Sequence, residues 1–318
     1  MSNDFRPNSW NEYIGQEKII KNLKIYIEAA VKQNRVLDPI IFSGPSGMGK
    51  TSLAYLLSKI LKTKIHIVNG PSLQKPSDLI SILTSIKEKQ ILFIDEIHSV
   101  SKEIMEVLYP VLEENKLSII IGKEYNSKIV NIKLPNFSII TATTEINRLP
   151  FPFLNRFPIQ FELEGYNQQD LIKIITNTFK KLNDITIETK EAEVIARYSK
   201  LVPRVANNLV KRIYDFLITE KIKDLSEKSL EYVFNQMGLY EFGLNEKDID
   251  YLKALKENIT LSLDSLAQII NVPSQTILNN IEPIFLKEKL IIKTGRGRQI
   301  TNRGKDYLEK NKKTIYLS

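Results

Sequence analysis

The eight residues Gly44–Thr51, GPSGMGKT, constrain the fold of this 318-residue chain more than any other stretch. They match GxxxxGK[ST], directly follow the apolar run PIIF at Pro39–Phe42, and open a helical pattern that continues to Leu61. Strand, glycine turn and helix in that order form the context in which the pattern acts as a phosphate cradle. Gly44, Gly47 and Gly49 let backbone N–H groups approach phosphate oxygens, and the helix N-terminus adds a favourable dipole. Lys50 is expected to reach the β- and γ-phosphates of ATP, and the Thr51 hydroxyl to ligate Mg²⁺. The plain alternative is a fortuitous glycine-rich turn, which requires the matching strand and helix to flank it by chance.

A second pattern, ILFIDEIH, sets Asp95 and Glu96 at the end of an apolar strand. The first carboxylate of such a pair can hold Mg²⁺ through water, and the second can orient and deprotonate an attacking water. Alone, the pair could equally cap the following helix. With the glycine-rich loop upstream, the catalytic reading gains weight. His98 is expected to pack or to face solvent, because a single histidine with no partner at ligand spacing says little about a metal.

Short β-branched runs alternate with helical patterns through the first half of the chain, as in a mostly parallel sheet with crossover helices. Strands are expected at Pro39–Phe42, Lys64–Val68, Gln90–Ile94 and Asn136–Ala142, with helices near Gly49–Leu61, Ser77–Lys87 and Lys102–Asn115. Lys116–Lys133 reads as two apolar strands around a polar turn, a projecting β-hairpin. From Asn167 to Gly238 amphipathic helices follow one another, as in QQDLIKIITNTF and RVANNLVKRIYDFL. Beyond Gly243, three short helical patterns lead into LIIKTGRGRQIT, a helix-turn-helix followed by a β-hairpin wing. The expected architecture is thus an α/β P-loop core over residues 1–165, a small all-α lid over 166–240 and a winged-helix DNA-binding domain over 241–318.

Composition narrows the chemistry. There are no cysteines, which excludes disulfides and thiolate catalysis, and only two histidines, His66 and His98. No apolar run is long enough to span a bilayer and MSNDFRPNSW lacks a secretory h-region, so no membrane association and a cytoplasmic location are expected. The net charge of +8 is concentrated at the C-terminus, where Lys287–Ser318 carry ten Lys and Arg against three Asp and Glu. Such a localised excess beside a wing is the footprint of phosphate contacts, although a solvated basic surface has the same composition.

Arg156 in FLNRF and Arg204 in VPRVANN could, on their own, pair with surface carboxylates. A resemblance supplies more. The blocks RPNSWNEYIGQEKIIKNLKIYIEAA, GPSGMGKTSLA, LFIDEIH, LYPVLEEN, IIIGKEYNSK, ITATT, NRF, PRVANNLVKRIYDF and GRGR, in this order, resemble the AAA+ ATPases of the RuvB family, which drive branch migration of Holliday junctions. The likeness runs nearly end to end. It implies that Phe5 and Arg6 lie beside bound nucleotide, and that Gly47, Lys50, Thr51 and Ser52 hold its phosphates. It assigns Thr144 as sensor 1, whose bland reading is a strand-end threonine bonded to backbone. Glu113, Glu114 and Asn115 are implied to face a neighbouring subunit's nucleotide, with Arg156 as an arginine finger in trans. Tyr166 and Arg204 fall on the lid side of the nucleotide, Arg204 as sensor 2.

The resemblance further implies a ring, expected to be a hexamer, acting on double-stranded DNA at four-way junctions. A RuvA-like junction-binding partner is expected to dock on the Lys116–Lys133 hairpin through an apolar contact involving Ile119, Ile120 and Ile121, a run that a buried strand would also show. Lys293, Arg296 and Arg298 are the expected DNA contacts, positioning without reading sequence. The chain departs from the family at Leu154 and Glu145, where arginines are usual, at Pro158, where a glycine is usual, and at Lys293, which keeps charge but loses bidentate geometry. An ATP-switched DNA-binding protein of the Orc/Cdc6 type shares the AAA+ and winged-helix combination, and a clamp-loader-like ATPase explains the wing less well.

Overall fold

Parallel strands buried on both faces read as unbroken apolar runs, and their polar ends mark where the chain leaves the sheet. In the computed structural model, which describes residues 5–121, 128–182, 186–220 and 224–311, the strands are β1 (Ile40–Ser43), β2 (Ile65–Asn69), β3 (Ile91–Asp95), β6 (Ser138–Thr143) and β7 (Ile159–Glu162). The first four each end one residue beyond the apolar run from which they were read, on Ser43, Asn69, Asp95 and Thr143. The order is β2-β3-β6-β1-β7, all parallel. β7 was not anticipated: its sequence, IQFE, offers only two apolar positions, and what fixes it is pairing with β1 in the register Ile40↔Ile159.

Helices α1 (Glu17–Lys32), α2 (Lys50–Ile60), α3 (Pro76–Ser85), α4 (Lys102–Glu114) and α5 (Phe151–Leu154) belong to the same unit, Met1–Tyr166. Helix α4 is capped by Ser101, whose hydroxyl accepts from the Ile104 N–H, and stops at Asn115 in the left-handed conformation, φ 52°. Ile41, Leu92, Ile94, Leu108 and Phe153 form part of the core between sheet and helices. From Asn115 the chain enters a hairpin of β4 (Lys116–Ile121) and β5 (Lys128–Lys133), with Ile119 opposite Val130. Leu117 and Ile119 turn toward the core, whereas Ile129 on β5 is 70% exposed. The side chains of residues 120 and 121, and the turn, lie outside the described residues.

The second unit, Asn167–Ser318, contains a helical layer of α6 (Gln168–Lys181), α7 (Thr189–Tyr198), α8 (Pro203–Thr219) and α9 (Glu227–Gln236). It continues through α10 (Glu246–Glu257), α11 (Leu263–Ile270), α12 (Ser274–Thr276), a π-turn (Ile277–Ile281) and α13 (Glu282–Lys287), then β8 (Ile291–Thr294), β9 (Gly297–Ile300) and α14 (Asn302–Lys310). The elements from α10 to α14 form a winged helix around Leu252, Leu266, Ile277 and Phe285. The two parts of this unit are tied together. Lys200 donates to Asp248 at 3.2 Å, and the Tyr307 hydroxyl to the Glu241 carbonyl at 2.7 Å.

Candidate nucleotide site and DNA-binding wing

The loop between β1 and α2 takes the conformation that its glycines permit. Gly44, Gly47 and Gly49 have φ values of 130°, 81° and 102°. A Cβ at Gly44 would stand 2.7 Å from the Leu163 carbonyl, and one at Gly49 2.7 Å from the Tyr13 hydroxyl. Side chains are therefore excluded both by backbone conformation and by space. Lys50 opens α2 with only 6% of its surface exposed, and its ammonium donates to the carbonyls of Gly44 (2.6 Å) and Pro45 (2.9 Å). One turn of chain is thus closed around the charge that is to meet phosphate. Ser52 follows in the first turn of the helix.

Thr51, in the first turn of α2, and Asp95, at the end of β3, come together. The Thr51 hydroxyl donates to Asp95 Oδ2 at 2.8 Å. Both are hard oxygen donors suited to Mg²⁺. Glu96 sits in the left-handed region, φ 51°, an uncommon conformation for a residue with a side chain. Gly70 lies so close that a Cβ there would be 2.4 Å from the Glu96 carbonyl, and Ser99 Oγ donates to that same carbonyl at 2.7 Å. The Glu96 carboxylate accepts at Oε2 from the Thr144 hydroxyl (3.0 Å) and the Thr144 N–H (3.3 Å).

Two tyrosines frame the loop. The Tyr166 hydroxyl donates to the Met48 carbonyl at 3.3 Å, and its ring fills the space that a Cβ on Gly15 would need. The Tyr13 hydroxyl points at the Gly49 carbonyl at 3.5 Å, and burial, with Tyr166 adding to it, keeps its pKa well above the usual tyrosine value. Arg6 stacks its guanidinium on the Tyr55 ring of α2, 3.7 Å from the centroid, in a cleft shared with Lys59 and Lys62. Phe5, half-buried, immediately precedes it.

Arg156 follows α5 at the edge of α4. It forms an ion pair with Glu113 at 2.7 Å, donates to the Pro152 carbonyl at 2.6 Å, and lies over the Tyr109 ring at 4.3 Å. Glu114 is engaged by Lys116 and Asn115 by Asn136. In the second unit, Arg204 is exposed at the start of α8, directly after Pro203 at the first helical position.

The wing distributes its cations unequally. Glu282 is fully buried, and it receives Arg298 Nε (2.7 Å), the Tyr251 hydroxyl (3.0 Å) and the Lys293 ammonium (2.5 Å). Burial raises the Glu282 carboxyl, but the hydrogen bonds from Arg298, Lys293 and Tyr251 outweigh it and leave the pKa below the usual carboxylate value. Arg298 keeps 16% of its side chain exposed and Lys293 42%. Arg296, on the turn, is exposed, and its side chain forms no hydrogen bond or ion pair with the described residues.

Three family models match consecutive segments: the Holliday junction DNA helicase RuvB P-loop domain over residues 5–163, the RuvB AAA lid domain over 166–239 and the RuvB C-terminal winged helix domain over 241–309. The chain belongs to the RuvB family. Among its relatives is the Holliday junction branch migration complex subunit RuvB of Mycoplasmopsis pulmonis, 42% identical over 310 residues, 96% of this chain and 98% of the relative. The subunit of the same name from Mycoplasmopsis synoviae is also 42% identical over 310 residues, with the same coverage. The solved structure of the Thermotoga maritima RuvB Holliday junction branch migration motor superposes with a TM-score of 0.80 at 33% identity, covering 96% of this chain and 98% of that one.

As a RuvB-family P-loop AAA+ protein, the chain is a nucleotide-binding ATPase. Among the described residues no helix is long and apolar enough to cross a membrane. The structure gathers Lys50, Thr51, Asp95, Glu96 and Thr144 around the loop and sets Tyr166 against it. Sequence reasoning missed Tyr13, whose signal was its position two residues before the positive-φ Gly15 in EYIGQ. It also left His98 without a role. His98 Nδ1 lies 3.0 Å from Thr143 Oγ1 and 3.3 Å from Glu96 Oε2.

Proposed function

We propose that this chain is the ATP-hydrolysing motor subunit of a ring that drives branch migration of four-way DNA junctions together with a RuvA-like partner. The observation that carries the reading is the meeting of Thr51 and Asp95 at 2.8 Å beside Glu96, in a chain matched by RuvB models through all three of its segments. Thr51 and Asp95 would hold Mg²⁺, which when bound neutralises charge on the transferring phosphoryl group. Lys50 and the backbone amides of residues 44–51 bind the phosphates, with Ser52 beside them. Glu96 orients and deprotonates the attacking water, and Thr144 reports the γ-phosphate to it.

Arg156 serves a neighbouring subunit's site, with Glu113, Glu114 and Asn115 at the same border, so hydrolysis requires a ring or at least a dimer. We infer a hexamer from the family likeness, and a cytoplasmic location. Phe5, Arg6 and Tyr166 complete the nucleotide site within the P-loop unit, and the family likeness assigns Arg204 as its sensor 2. The wing follows duplex phosphates through Arg296, with the outer face of Lys293 contributing and Arg298 acting mainly as its support. Phosphate contacts suit a translocating protein because they do not pin it to one sequence. The exposed Ile129, Val130 and Ile132 of the hairpin supply an apolar contact for the partner. An initiator of the Orc/Cdc6 type has less support, since each of the three segments matches a RuvB model.

The test is ATP-driven migration of a synthetic four-way junction, with and without a RuvA partner, comparing the unaltered chain with Glu96→Gln and Arg156→Ala. Partner-stimulated strand separation lost in both variants is the expected result. ATP hydrolysis and duplex binding without junction movement, in the presence of an active matched partner, would remove the motor reading.

A further inference from the structure

Glu96 is held from a second side. Its carboxylate Oε2 receives Thr144 from the exit of β6, and on the other flank His98 Nδ1, hydrogen-bonded to Thr143 Oγ1 at 3.0 Å, stands 3.3 Å from the same oxygen. The opposite ring nitrogen of His98, Nε2, lies 3.4 Å from Glu145 Oε1. Glu145 in turn is fixed: its N–H donates to Thr143 Oγ1 at 3.0 Å, and Arg148 reaches its other oxygen at 3.4 Å. The His98 side chain is only 9% exposed.

We propose that His98 is a positioning residue for the carboxylate of Glu96, and that Glu145 sets the orientation of the His98 ring. This rests on the reading of Glu96 as the base. Thr144 and His98 both converge on Oε2, which leaves Oε1 as the oxygen presented to water. A carboxylate attached to a residue in the left-handed region, at the end of a strand, would otherwise be free to rotate about its side-chain bonds. A base must sit within hydrogen-bond reach of the proton that it abstracts, so a lost restraint lowers the rate of chemistry rather than the affinity for nucleotide. Thr143, Thr144 and Glu145 are consecutive, so a shift of the β6 exit moves both restraints on Glu96 together.

His98→Phe keeps a ring of similar size and removes both nitrogens. It is expected to lower kcat for DNA-stimulated ATP hydrolysis about ten-fold, with KM for ATP and the affinity for a fluorescent ADP analogue unchanged. His98→Gln, which retains an N–H donor, is expected to recover most of that loss. Glu145→Ala should reduce kcat less, and the double variant with His98→Phe should be no slower than His98→Phe alone, because the two act in series. The chain has two histidines, which gives a direct readout. In ¹⁵N-histidine spectra the ring signals of His98 should move in both Glu96→Gln and Glu145→Gln, while those of His66, hydrogen-bonded to Gln90 at 2.8 Å, stay in place. If His98→Phe does not fold, the glutamine variants and the spectra carry the test. Unmoved His98 signals, a kcat within two-fold of the unaltered chain, or additive losses would overturn the proposal. Normal hydrolysis by Glu96→Gln would instead remove the base assignment on which it stands.

Discussion

Lys200, two residues past the end of α7, donates to Asp248 in the first turn of α10 at 3.2 Å, and Asp248 is 1% exposed. Asp248 also accepts from the N–H of Asn245, closing a capping box, so one carboxylate both starts the winged helix and receives a cation from the helical layer. Around it, Tyr307 reaches Glu241, and Gly243 passes so close to the Tyr198 carbonyl that a Cβ would come within 2.2 Å. The lid and the DNA-binding fold consequently belong to one compact unit. If the nucleotide cycle moves the lid, the wing moves with it, because the two share this unit.

Removing that link separates hydrolysis from movement. Lys200→Ala leaves a buried carboxylate without its cation. The cost is about 2 kcal/mol, below that of a fully buried pair because Lys200 itself keeps partial exposure. The expected outcome is near-normal ATP turnover with slowed junction migration, compared in the same reaction. An equal fall in both would mean that the link supports folding only.

Arg156, the proposed arginine finger, rests on an aromatic face. Arg156 lies over Tyr109 at 4.3 Å while Glu113 holds its other side. Arg156→Ala is expected to lower kcat about a thousand-fold, and Tyr109→Leu, which removes the stacking surface, about ten-fold. If Arg156 acts in trans, mixing Arg156→Ala subunits with Glu96→Gln subunits should restore hydrolysis. The former keep a base and borrow fingers from the latter. If mixtures show only the sum of the separate activities, the finger does not act between subunits.

Much of this was legible in the sequence because the relevant signals are local. The glycine loop, the Asp95–Glu96 pair and the parallel strands announce themselves by spacing and by unbroken apolar runs. β7 did not, since Ile159–Glu162 is specified by its partner strand rather than by its own pattern. The role of His98 was equally hidden: its partners Thr143 and Glu145 lie more than forty positions along the chain, across the β3–β6 pairing. The wing shows a third kind of limit. Its basic residues read alike in GRGR and IKTG, and only the folded position of Glu282 distinguishes the supporting Arg298 from the outward Arg296.

That distinction gives opposite phenotypes for two neighbouring arginines. Arg296→Ala should weaken duplex binding and reduce the salt dependence by about one phosphate contact, without altering thermal stability. Arg298→Ala should lower the unfolding temperature, because it takes from the buried Glu282 one of the two cations that hold it, and its loss of DNA binding should follow from the loosened wing. Salt titrations of duplex affinity alongside thermal melts distinguish the two. Equal salt slopes and equal melting temperatures for both variants would show that Glu282 does not divide their roles.

Glu282 also makes the wing sensitive to acid. Its carboxyl is held below the ordinary value of 4.5 in the folded chain, with the hydrogen bonds of Arg298, Lys293 and Tyr251 overcoming the cost of burial. For a carboxyl whose folded pKa is depressed, the stabilisation is fully present above the unfolded value and is lost as pH falls through the folded one. Stability should thus be level from neutral pH down to about pH 5 and fall below it. Glu282→Gln should be less stable at neutral pH, since Arg298 and Lys293 lose their counter-charge, but its stability should change less between pH 5 and pH 3. Acid unfolding followed by the fluorescence of a tryptophan placed at Phe285, in the core of this domain, with the native Trp10 replaced by Phe, reads the transition there rather than elsewhere. Identical acid slopes with and without the Glu282 carboxylate would mean that other carboxyl groups govern the unfolding of the winged helix.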